Sequence, residues 1–230
     1  MDTQQLVEKN PLRLLEGGPV CESMRLGLVV ARAGLGKTAL LVQIAMDAIL
    51  LERRVIHISI GQGIDKTCAW YTDIVREISQ NAADTRALLD LVKQRRMIMT
   101  FKVSAFSRPK LEERLNDLVL QDIFRPSCLV IEGFDFVKAD HSALEDLREL
   151  MEVMNIQAWF SVVSHRDDPR ESSMGVPAPC HEMEDLFDTV IQIKPDQQMV
   201  RLNIIKDCGK QGKGVAGLAL DPATMMLVKA

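Results

Sequence analysis

The apolar run Leu28-Val29-Val30 stops at Ala31-Arg32-Ala33-Gly34-Leu35-Gly36-Lys37-Thr38, and a helical pattern starts where that turn ends. Small residues closing on Gly-Lys-Thr outline a phosphate-binding loop, the Walker A motif. Such a loop curls so that successive backbone N–H groups converge on an anion, and the following helix adds the positive end of its dipole. The segment expected to cradle a polyphosphate is Ala33, Gly34, Leu35, Gly36, Lys37, Thr38 and Ala39. Lys37 then reaches the β- and γ-phosphates, and the Thr38 hydroxyl ligates Mg²⁺. The strict pattern opens on Gly where this chain has Ala31.

A phosphate loop needs an acid to order the magnesium, at the carboxyl end of a neighbouring buried strand. Leu129-Val130-Ile131-Glu132 supplies one: three apolar residues, a carboxylate, then Gly133. Glu132 stands where Asp is commoner, and Asp135 is the alternative acid. The ligands this pairing calls for are ATP and Mg²⁺.

The elements that must position these groups follow from apolar patterning. Strands are expected at Leu26–Val30, Arg54–Ile60, Met97–Val103, Cys128–Glu132 and Ala158–Ser164. Helices are expected from Thr38 to about Leu51, from Asp65 to about Ser79, from Asp84 to about Arg95, through Pro109 to about Asp122, and from His141 to about Met154. Asp65 and Asp84 read as N-caps. Strands alternating with helices argue an α/β domain, a mostly parallel sheet covered on both faces. The tail changes rhythm. Asp188–Ile193, Val200–Lys206, Ala216–Leu220 and Met225–Val228 read as strands, with a Gly/Lys-rich turn at Gly209–Gly214, so an antiparallel extension at one sheet edge is expected. Residues 1–23 are expected to be an N-terminal extension packing on the core, and 24–230 a single nucleotide-binding domain. His165–Cys180, rich in Pro, Ser, Asp and Arg, reads as a mobile loop.

The chain has 230 residues, 47% hydrophobic and 26% charged, a mix able to bury a core, with a net charge of −4. No global basic field recruits nucleic acid. The polar start, Met1-Asp2-Thr3-Gln4-Gln5, is unlike a signal peptide, and the longest apolar stretch is too short to cross a bilayer. A cytoplasmic protein with no membrane contact is the expectation. Five dispersed cysteines fit reduced thiols rather than a disulfide framework. His57 reads as a half-buried sheet residue. Trp70-Tyr71 reads as packing, or as a surface for a base to stack on.

Taken together, the loop, the Glu132 strand, the Ser164-ended strand and the Val200–Lys206 strand with its basic turn resemble the RecA-like P-loop ATPases. The branch with KaiC-type and DnaB-type enzymes is the nearest, and the resemblance runs from about Met24 to the C-terminus. It implies a strand between the loop strand and the acidic strand. It also implies a catalytic Glu after the second strand, where Ser59-Ile60-Gly61-Gln62 instead puts Gly61, with Gln62 beside it. Gln62 either positions a water or simply follows the strand end. Ser164, with His165 next to it, matches the position that senses the γ-phosphate. The family's Lys-x-Arg finger corresponds to Lys206-Asp207-Cys208, so the Lys is present and the Arg is not, with Lys210 and Lys213 nearby.

Three functions remain open at this level. One is a slow Mg-dependent ATPase, working at a subunit interface of a homo-oligomer. Another is a nucleotide-sensing module for a protein partner with little hydrolysis. The last is a small-molecule kinase using Arg166 or Arg170 as a lid. Nucleic-acid binding is not expected: those arginines are offset by Asp167, Asp168 and Glu171, and their loop has no aromatic residue.

Overall fold

The computed structural model describes residues 24–79, 81–196 and 199–229. The expected N-terminal extension, 1–23, lies outside the described residues. The elements run β1 (Leu26–Ala31), α1 (Lys37–Leu50), β2 (Val55–Ile60), α2 (Ile64–Ile78), α3 (Ala82–Arg95), β3 (Arg96–Phe101), α4 (Arg108–Leu120), β4 (Cys128–Glu132), α5 (His141–Met154) and β5 (Gln157–Val163). Then come β6 (Thr189–Asp196), β7 (Met199–Asp207), β8 (Lys210–Leu220) and β9 (Leu227–Lys229). These strands form one sheet in the order β3-β2-β4-β5-β1-β6-β7-β8-β9. Pairs from β3 through β6 are parallel, and those from β6 through β9 antiparallel. β5 therefore separates the loop strand β1 from the acidic strand β4, the arrangement that the resemblance implied.

β1, β2 and β4 are buried along their whole length, which is why they read as continuous apolar runs instead of alternating. Alternate residues feed two cores. Val29, Val130 and Trp159 pack with α1, α2 and α3, and also with Leu202, Leu218 and Leu220 of the antiparallel strands. Leu28, Leu129 and Phe160 pack on the opposite face with α4 and α5. Helix α1 is buried almost throughout, including Gln43. That side chain donates to the Met225 carbonyl at 3.0 Å and accepts from the Leu227 amide at 2.9 Å, so α1 is stapled to the last strand.

Several boundaries differ from expectation for physical reasons. Asn81, not Asp84, caps α3, its side chain accepting from the Ala83 and Asp84 amides at 3.0 Å each. Asp65 lies inside the first turn of α2, whose N-cap is Gly63. Val103 leaves β3 for a 3-10 turn. The turn expected over Gly209–Gly214 is tighter, because Lys210 already pairs with Asp207. Gly212 sits within β8, where a Cβ would lie 2.0 Å from the Ile204 carbonyl oxygen, so it serves close backbone approach beside a register shift. The His165–Cys180 loop is anchored, with Val176, Ala178 and Cys180 buried beside the α4–α5 core.

Candidate nucleotide site

The loop between β1 and α1 opens onto a cavity of about 700 Å³, within the usual size of a small-ligand site. Its walls include Ala33, Gly34, Gly36, Lys37 and Thr38 from the loop, Gln62 and Lys66 after β2, and Glu132 and Asp135 after β4. Gly36 is the N-cap of α1 and provides no side-chain cap, so no side chain of its own competes for the first-turn amides. Leu35 packs on the core and Ala39 is buried; these two bring backbone, not side chains, to the loop. The Lys37 ammonium donates to the carbonyls of Arg32 at 3.1 Å and Ala31 at 3.4 Å, curled over the loop it belongs to. Burial lowers its pKa, opposed by the negative charge of Glu132.

Across the cleft, Thr38 Oγ1 donates to Glu132 Oε1 at 2.6 Å. Glu132 is only 7% exposed, and its second oxygen lies 3.1 Å from His57 Nε2. Burial pushes the Glu132 pKa up, but the hydrogen bonds from His57 and Thr38 and the charge of Lys66 outweigh it, so the carboxyl stays below its ordinary range. An ionised carboxylate beside a hydroxyl that donates its proton to it leaves hydroxyl lone pairs for a cation. This hard oxygen pair suits Mg²⁺. Ser59, in register with Glu132 across β2 and β4, adds a buried hydroxyl with no hydrogen-bond partner among the described residues. The residues present fit a magnesium ion held by Thr38 and Glu132. Asp135 also lines the cleft, but pairs with Lys138 at 2.9 Å rather than with Thr38.

Other expected residues fall elsewhere. Ser164 is half-buried and its amide donates to the Ala31 carbonyl at 3.1 Å; the strand residue in the cleft wall is Ser161, with His165 beyond it. Lys206 is 6% exposed and donates to the Glu184 carbonyl at 2.9 Å, outside the cleft. The Gly61 position has φ 74, and a Cβ there would meet Val103 at 2.8 Å, so a side chain in the catalytic-Glu position is resisted by this backbone. Arg170 is forked onto Asp168 at 2.6 and 2.8 Å, not turned to the phosphate loop. His57, expected as a half-buried sheet residue, is fully buried and bonded to the metal acid. Its signal was parity: His57 and Ser59 share the strand face that, in parallel register, meets Val130 and Glu132.

This arrangement is similar in fold to the solved ATPase domain of a DnaB-like helicase. The match has a TM-score of 0.67 at 14% identity and covers 90% of this chain and 85% of that one. The chain has the RecA-like fold, a mostly parallel sheet between helices with an antiparallel extension. In all, 370 solved chains match it, a scaffold too widely used to select one activity. No family model and no curated protein matches its sequence. Among the described residues, no helix is long and apolar enough to cross a membrane.

Proposed function

We propose that this chain binds Mg·ATP in the β1–α1 cleft and hydrolyses it slowly, in an assembly with further copies or with a protein partner. The observation carrying this reading is the 2.6 Å contact between Thr38 and Glu132, which joins the loop's metal-binding hydroxyl to an acid from β4. Lys37 offsets phosphate charge, and the first-turn amides of α1 hold phosphate oxygens. Magnesium, when bound, would offset charge on the bridging β- and γ-phosphate oxygens. Gln62 is the polar side chain best placed to hold a water, and it is not a practical base. With Gly61 in the acid position and Cys208 where a finger arginine would be, turnover is slow. The expected location is the cytoplasm.

The same two residues support a second reading: a nucleotide sensor whose partner surface responds to ATP with little hydrolysis. Lys37→Ala tests the site itself. Affinity for a fluorescent ATP analogue is expected to fall at least tenfold, about 1.4 kcal/mol, and unchanged affinity would remove the assignment. Steady-state ATPase activity then separates the readings. A measurable rate abolished by Glu132→Gln favours the enzyme, and no rate despite binding favours the sensor.

A further inference from the structure

Glu132 is one methylene longer than the commoner Asp, so it has an extra torsion to fix before its oxygens can serve a metal. Both oxygens are held. Thr38 takes Oε1 at 2.6 Å, and His57 Nε2 lies 3.1 Å from Oε2. The imidazole is itself held, with Nδ1 3.2 Å from the Tyr71 hydroxyl and the two rings edge-on at 5.7 Å. His57 is 0% and Tyr71 1% exposed. Burial keeps the Tyr71 phenol protonated, so its O–H donates to Nδ1. The remaining ring N–H, on Nε2, therefore points at the carboxylate. Arg96 closes the chain, its guanidinium 4.3 Å from the Tyr71 ring centre.

β2 is otherwise almost wholly apolar, Val55-Ile56 and Ile58 flanking the histidine, and an aliphatic residue at 57 would bury without needing partners. A histidine with both nitrogens engaged, one of them on the acid that faces Thr38, has a use beyond packing. We infer that His57, backed by Tyr71, is a positioning residue that orients the Glu132 carboxylate toward the magnesium of the bound nucleotide. This rests on the nucleotide reading above. Partners that orient metal-ligating groups in this way typically change metal affinity 10–100-fold when removed.

The test compares full-length wild type, His57→Leu, His57→Gln and Tyr71→Phe. Gln keeps an N–H donor at about the reach of Nε2; Leu does not. Binding of a fluorescent ATP analogue is measured in EDTA and through a Mg²⁺ titration, with Mn²⁺ occupancy by electron paramagnetic resonance as a second readout. His57→Leu is expected to raise the half-saturating metal concentration about 10–100-fold while leaving affinity in EDTA unchanged. His57→Gln is expected to recover most of the loss, and Tyr71→Phe to shift in the same direction as Leu. A wild-type metal requirement in His57→Leu, a Gln variant as impaired as Leu, or equal losses with and without metal would each overturn the positioning role. Should His57→Leu fail to fold, Tyr71→Phe decides alone, and a wild-type metal requirement there overturns it. Wild type that binds no nucleotide in either condition overturns the parent reading. Binding that is lost in Lys37→Ala but indifferent to His57 overturns only this inference.

Discussion

Trp70 gives the cleft its own reporter. It lines the cavity, while the second tryptophan, Trp159, is 0% exposed in the core between α1 and the sheet. Nucleotide is expected to change intrinsic emission in wild type and to leave it unchanged in Trp70→Phe, read by tryptophan fluorescence during an ATP titration. A persistent change in the variant would move the base away from α2. At this scale, legibility depended on how local the chemistry is. Lys37 and Thr38 were readable because one tight turn carries the whole cradle. Glu132 was readable as a strand-end acid. His57 and Ser161 were not, because their meaning depends on which strand lies beside them and in what register. The place of Lys206 was hidden for a similar reason: spacing along the chain does not show that its ammonium ends on the Glu184 carbonyl.

The elements place these residues through close contacts at the centre of the sheet. Gly27 of β1 lies under the Trp159 ring of β5, where a Cβ would come within 2.5 Å of ring carbons. Gly27→Ala is expected to cost about 1–3 kcal/mol by overpacking, seen as a lower denaturation midpoint with an unchanged slope in urea. A stability equal to wild type would mean that the β1–β5 contact is looser than described. Buried strands were legible as apolar runs, and Cys128–Glu132 and His141–Met154 fall where patterning puts them. Helix starts were less legible, because several polar residues compete for the same orphan amides and only geometry decides that Asn81 wins. The β7–β8 hairpin misled for a related reason: glycine signals a turn, yet at Gly212 it signals a crowded ladder.

Over the whole molecule, one carboxylate ties the sheet centre to its helical cover. Asp188 accepts from the Arg25 and Leu26 amides at 2.7 and 3.1 Å and forks with Arg148 of α5 at 3.0 Å. Burial raises its pKa, but the Arg148 hydrogen bonds and the two amides outweigh it, so the folded value lies below the ordinary one. A depressed carboxylate stabilises the fold above its unfolded pKa of about 3.9, and that contribution fades as pH falls through the lower folded value. Asp188→Ala is expected to cost about 2–3 kcal/mol at neutral pH and to flatten the acid limb of a stability-versus-pH curve. An unchanged acid limb would assign that limb to other carboxylates.

The central place of β1 has a consequence for synthesis. The strand that bears the phosphate loop has β5 and β6 as its sheet neighbours, Leu26 beside Ala158 and Gly27 beside Thr189. On the ribosome it therefore emerges as an unsatisfied apolar ribbon and must wait for most of the polypeptide before either neighbour exists. During that interval β1 is the stretch that a holding chaperone would recognise.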